Sequence, residues 1–128
     1  MAAADLIPSA DQVAALITSR TVDEYGNELG TFAAGTRPTD VQVSTLAAVA
    51  AADTLVALGA EADELPAEYI DEARQLAALR CAALILWSFY PEQQVAALGS
   101  AAASLQAAFV AGVAELVERL RWTAVRLA

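Results

Sequence analysis

Histidine and lysine are both missing from this 128-residue chain, and cysteine occurs once, as Cys81. Without histidine the commonest general base and the commonest metal ligand are unavailable. One cysteine excludes an internal disulfide and a cysteine-rich metal site, and it fits a reducing cytoplasm. All seven basic residues are arginine, set against 16 acidic ones, for a formal charge of −9. A chain this negative has no free-standing attraction for phosphate backbones or anionic lipid. The N-terminal stretch from Met1 to Pro8 has neither a basic region nor a long apolar run, so it does not read as a secretory signal. The arginine-only basic set, with abundant alanine and valine, resembles coding in a GC-rich genome.

What the chain has in quantity is alanine and aliphatic residues at helical spacing, in a length suited to one domain spanning 1–128. Ser9 with Gln12 forms a capping box that opens a first helix from about Ala10 to Ser19, with Val13, Leu16 and Ile17 on one face. Thr39 with Gln42 forms a second, predicting a helix from Asp40 to Leu58 that Gly59 stops. Its buried side should be Val43, Leu46, Ala47, Ala50 and Leu55. Pro66 suits the first turn of a third helix, about Ala67 to Tyr90, whose apolar residues run nearly all round and mark it as central. Beyond Pro91 the spacing of Leu98, Ala102, Leu105, Phe109, Gly112, Leu116 and Leu120 predicts a long C-terminal helix over 92–127. Val110, Val113 and Val117 give it a second apolar side, more than one small bundle can cover. The fold class expected is all-α: a four-helix bundle-like subunit with a long central helix and a long C-terminal one.

Between the first two helices the sequence changes character. The segment from Arg20 to Gln42 holds Gly26, Gly30 and Gly35, two arginines, Tyr25 and Phe32, in a connection too long for a simple helix link. Tyr25-Gly26-Asn27-Glu28 has turn chemistry, with Val22 and Leu29 to Phe32 as possible short strands, so the loop over 20–39 reads as a protruding loop or a small β-hairpin. Long loops of this kind usually carry function.

No catalytic constellation accompanies it. There is no phosphate loop, metal-ligand spacing or nucleophile elbow, and the acid pairs Asp23-Glu24 and Asp63-Glu64 read as solvated charge. The chain is therefore not expected to be an enzyme, and no cofactor is implied. Cys81 on an apolar helix face reads as core, as do Trp87, Phe89 and Tyr90 before Pro91. Charge is lopsided: 13 acidic and 2 basic residues up to Glu72, then 3 and 5 beyond it, which gives the total of −9. Arg119, Arg121 and Arg126 form the one basic cluster, with Trp122 balanced between packing and an interface role. The run from Val95 to Ala114 carries no charge over about the length of a membrane span, but its small and polar residues gain little in hydrocarbon.

The succession Arg-Thr-x-Asp-x-x-Gly-Asn-Glu-x-Gly-x-Phe from Arg20 to Phe32, then Thr36-Arg37-Pro38-Thr39, then Tyr90-Pro91-Glu92-Gln93, resembles the head-to-tail adaptor, or connector, proteins of long-tailed bacteriophages, the actinobacteriophage type above all. The resemblance covers roughly residues 8 to 95. It implies an α-helical subunit that assembles as a homo-oligomeric ring, commonly of twelve copies, beneath the portal protein at the head-tail junction of the virion. Such a ring, made in the host cytoplasm, extends the DNA channel and meets the next connector or stopper protein, while genomic DNA passes without specific binding. On that reading Arg20, Asp23, Tyr25, Asn27, Leu29, Phe32, Arg37 and Thr39 contact neighbouring subunits or the adjoining ring. Arg119, Arg121, Trp122 and Arg126 then dock on the portal side. Two other readings compete: a small membrane-active, holin-like phage protein, on the uncharged run, and a cytoplasmic helical interaction module.

Overall fold

The computed structural model describes residues 3–59, 65–90 and 100–127, with the backbone alone over 123–127. Its elements are α1 (Ala10–Leu16), α2 (Asp40–Leu58), α3 (Ile70–Phe89) and α4 (Ala101–Leu127), with 3₁₀ turns at Ala3–Leu6, Thr18–Arg20 and Ala67–Tyr69. Among the described residues no strand forms, and the fold is all-α.

Both capping boxes are present. Ser9 Oγ accepts from the Gln12 amide at 3.1 Å while Gln12 Oε1 accepts from the Ser9 amide at 2.9 Å. Thr39 and Gln42 repeat the exchange at 3.2 and 2.9 Å, so α2 begins at Asp40 as its sequence requires. It ends at Gly59, whose φ of 66° is the left-handed conformation glycine tolerates.

Three helix boundaries differ from the expected ones, and in the central helix Ala67–Tyr69 forms a 3₁₀ turn, so that α3 opens at Ile70 rather than Ala67. Helix α1 stops at Leu16 rather than Ser19, because Ile17 leaves the helical region and the Thr18 hydroxyl donates back to the Ala14 carbonyl at 3.0 Å. Helix α4 does not run unbroken from Glu92. Ser100 is non-helical and caps the helix that follows, its Oγ accepting from the Ala103 amide at 3.0 Å. The predicted opening at Pro91-Glu92-Gln93 lies outside the described residues.

Helix α3 is the element against which α1, α2 and α4 all pack. Ala73, Leu76, Ala77, Ala78, Cys81, Ala82, Ala83, Ile85 and Leu86 are buried round its circumference. Alanine on so many contact positions lets helix axes approach closely. One part of the core gathers Val13 and Ile17 of the α1 region, Val43 and Ala47 of α2, and Ile85 and Leu86 of α3. The other joins Leu6 and Leu58 to Phe109, Val113, Leu116 and Leu120 of α4. Val113 was expected on the second, outward side of α4, and is instead in this core. Gly112 permits the approach: a Cβ built there would lie 2.4 Å from Cδ2 of Leu76.

Polar links tie the layers. Arg80 of α3 donates from Nε to Asp53 of α2 at 3.1 Å and from Nη1 to Gln106 of α4 at 2.9 Å. Glu72 of α3 pairs with Arg119 of α4.

Candidate functional site

The loop over 20–39 is held from beneath. Thr21 is fully buried; its hydroxyl donates to the Thr18 carbonyl at 2.7 Å and accepts from the Gly30 amide at 2.9 Å. The Leu29 amide donates to the Thr21 carbonyl at 2.8 Å, and the Arg37 amide to the Val22 carbonyl at 3.1 Å. These contacts produce two isolated antiparallel bridges, Val22 with Glu28 and Asp23 with Thr36. A longer ladder does not develop, because Gly26 and Gly30 both take positive φ and turn the chain out of the extended region.

A second hydroxyl closes the far side. Thr36, also buried, accepts from the Ala33 amide at 2.9 Å and lies 2.7 Å from the Pro38 carbonyl, across a cis Arg37–Pro38 peptide. Tyr90, at the end of α3, completes the clamp: its hydroxyl is 3.0 Å from the Arg37 carbonyl and 3.2 Å from that of Arg20. The Arg20 guanidinium sits over the Tyr90 ring, 4.3 Å from its centroid. Thr21 and Tyr90 were not picked out from the sequence as loop supports. No spacing rule marks them, since their distant partners, the Gly30 amide for Thr21 and the Arg20 and Arg37 carbonyls for Tyr90, are brought there by the fold.

The predicted contact residues therefore divide. Tyr25 is 80% exposed at the tip, and Asn27, Leu29 and Arg37 also face outward. Asp23 is spent on shaping the tip. Its Oδ1 accepts from the amides of Asn27 at 2.8 Å and Tyr25 at 2.9 Å, and the Asn27 amide above all holds its carboxyl below the usual value. Thr39 uses its hydroxyl as the α2 cap. Phe32 departs from the expected contact role: it is 6% exposed and packs in the core with Val13, Ile17 and Val43, because the loop doubles back and its ring is the largest apolar group available to fill the gap.

The C-terminal cluster divides in the same way. Arg119 turns inward, paired with Glu72 and 5.7 Å above the Tyr69 ring, and the Glu72 carboxylate raises its pKa further. It is a link between α3 and α4 rather than a free docking cation. Arg121 and Trp122 remain exposed, the indole donating to Glu118 at 3.3 Å. The side chain of Arg126 lies outside the described residues.

Among the described residues two helix surfaces expose apolar side chains. On α2, Val41, Val49 and Val56 share one face and are 71%, 44% and 81% exposed. On α4, Val110 and Trp122 are exposed beside Ala107, Ala111 and Ala114. Among the described residues no group of three potential metal ligands comes together. No family model matches the chain, and no characterised protein or solved structure is significantly similar to it.

Proposed function

We propose that this protein is a structural virion component, a head-to-tail adaptor that forms a ring under the portal and extends the DNA channel. The observation that carries the reading is the pair of uncovered apolar faces on α2 and α4, two helices that both pack on α3. A closed ring is built from heterologous contacts, in which a patch on one subunit meets a different surface of the next copy. Val41, Val49 and Val56 on α2 and Val110 and Trp122 on α4 would give neighbouring copies apolar groups to contact.

The arrangement is a four-helix bundle-like subunit with its loop presented at one end of α3. The clamp of Thr21, Thr36 and Tyr90 keeps the tip in one conformation before assembly, which reduces the ordering entropy lost on contact. Tyr25 and Leu29 are the tip's apolar contact groups, and Arg121 with Trp122 form the portal-facing end. Resemblance of the 20–39 segment to phage connectors supports the same assignment. The surplus of acidic residues would repel passing DNA rather than hold it.

Mass spectrometry and high-resolution imaging of purified particles test this reading. The chain is expected in stoichiometric multiples at the head-tail junction, and its absence from particles would remove the adaptor role. Replacing Tyr25 and Leu29 with serine, leaving buried Phe32 intact, should yield DNA-filled heads without tails.

A holin-like reading has one observation in its favour: α2 and the Ala101–Trp122 part of α4 are each long and apolar enough to cross a membrane. Both also bury one face against α3, the habit of core helices in a water-soluble subunit. Fractionation of infected cells distinguishes the two.

A further inference from the structure

The only basic residues before Arg74 are Arg20 and Arg37, and the fold brings both to a single groove. This groove has a volume of about 240 Å³ and is lined by Ser19, Arg20, Val22, Asp23, Arg37 and Tyr90. Its walls are fixed rather than assembled on demand. Tyr90 bonds the backbone at both arginines, and the Arg20 guanidinium is stacked on the Tyr90 ring. Arg37 is exposed at the rim. Asp23, the one acid among the described lining residues, has its Oδ1 turned to the amides of Tyr25 and Asn27. With Arg20 held on the Tyr90 ring, the outward guanidinium of Arg37 suits a carboxylate carried on an apolar surface, since guanidinium forks match carboxylate geometry.

This chain itself carries such a surface. On the outer side of α4, Glu115 and Glu118 are exposed beside Ala111 and Ala114, and the neutral indole that donates to Glu118 leaves its charge in place. The uncovered face of α2 does not qualify, because Asp53 is already bonded to Arg80 and no other acid lies between Val41 and Val56. Within one molecule the two surfaces cannot meet. Arg119, next to Glu118, pairs with Glu72 near the start of α3, whereas Tyr90 follows its end. At the helical rise per residue those points are about 27 Å apart.

We propose that the Arg20–Arg37–Tyr90 groove receives the outer face of α4 from a second copy of this chain, placing Glu115 and Glu118 against the exposed Arg37 guanidinium. The contact is heterologous, groove to helix, so each copy offers its own α4 to a further neighbour. The proposal deepens the ring reading and rests on it.

Sedimentation velocity of the full chain over a range of concentrations and salt tests it. The wild-type chain is expected to self-associate, less so as salt rises. Arg37→Glu, and separately the double variant Glu115→Arg with Glu118→Arg, should each weaken association by about tenfold or more, the loss expected for a charge-assisted bond. Mixing the two variants should restore it. Arg37→Gln, which keeps the backbone contacts, should fall between wild type and Arg37→Glu, with unchanged circular dichroism throughout. A wild-type chain that stays monomeric, or an Arg37→Glu chain that associates like wild type, overturns the groove contact. So does fluorescence anisotropy showing that a short DNA duplex binds the wild type and not Arg37→Glu, which would give the groove to phosphate. Association that survives Arg37→Glu leaves the adaptor reading standing, whereas absence of the chain from particles removes that reading whatever the groove does.

Discussion

The hydroxyl of Tyr90 lies 3.0 Å from the carbonyl oxygen of Arg37, two residues separated by 53 positions in the chain. Through that contact, and the one to Arg20, the end of the central helix holds both ends of the loop. Tyr90→Phe keeps the ring under the Arg20 guanidinium and removes only the hydroxyl. A destabilisation of about 1 kcal/mol is expected from the lost hydrogen bond. Chemical denaturation measures it, and amide exchange should quicken at Leu29 and Arg37 more than in α2. Unchanged exchange across the loop would deny Tyr90 its clamping role.

Gly112 sets how close α4 comes to α3. Gly112→Val places branched carbon where Leu76 already stands, 2.4 Å from a Cβ at that position. Overpacking of this kind costs about 1–3 kcal/mol, more than the few tenths gained in helix propensity. The thermal midpoint should fall, and Leu76→Ala added to Gly112→Val should recover part of the loss. Additive effects of the two substitutions would mean that the side chains do not compete for the same space.

The loop tip should be sensitive to acid. The Asp23 carboxyl is held below its ordinary value of 3.8, chiefly by the Asn27 amide, because the charged form is the better acceptor. A depressed carboxyl contributes order above its unfolded pKa and loses it as pH falls through the lower, folded value. The amide resonances of Tyr25 and Asn27 should therefore move only as pH falls through the folded value, below the 3.8 of a free aspartate. In Asp23→Asn that acid transition should vanish from both amides.

Cys81 should be inert while the chain is folded. Burial in the core raises its thiol to about 12, so almost no thiolate is present at neutral or mildly alkaline pH. Alkylation is expected to follow unfolding, with a rate that rises across the denaturation transition. Fast labelling of the native chain would contradict the packing of α3.

Much of the architecture is legible in local chemistry. The two serine or threonine boxes with glutamine three residues on mark the starts of α1 and α2, and Gly59 marks where α2 stops. Capping involves residues within one turn, so sequence is enough. The near-continuous apolar circumference of α3 announces a helix surrounded by others, and Cys81 reads as core for the same reason. The break at Ser100 before α4 was not legible, because the apolar spacing from Leu98 to Ala102 runs across it and a serine within such a run is unremarkable.

The site was legible only as a place. Composition sets the 20–39 segment apart, with three glycines, two arginines and two aromatics between alanine-rich helices. Which of its side chains face out was decided by tertiary structure. Phe32 and Tyr25 are both aromatics in one irregular loop, yet one fills the core and the other is 80% exposed. Arg119 and Arg121 sit two apart on one helix, and only the first meets Glu72. Helix propensity, caps and apolar spacing act over a few residues and are written in the sequence alone. Contacts such as Tyr90 with Arg37 and Leu76 with Gly112 depend on how whole helices cross, and no local pattern specifies them.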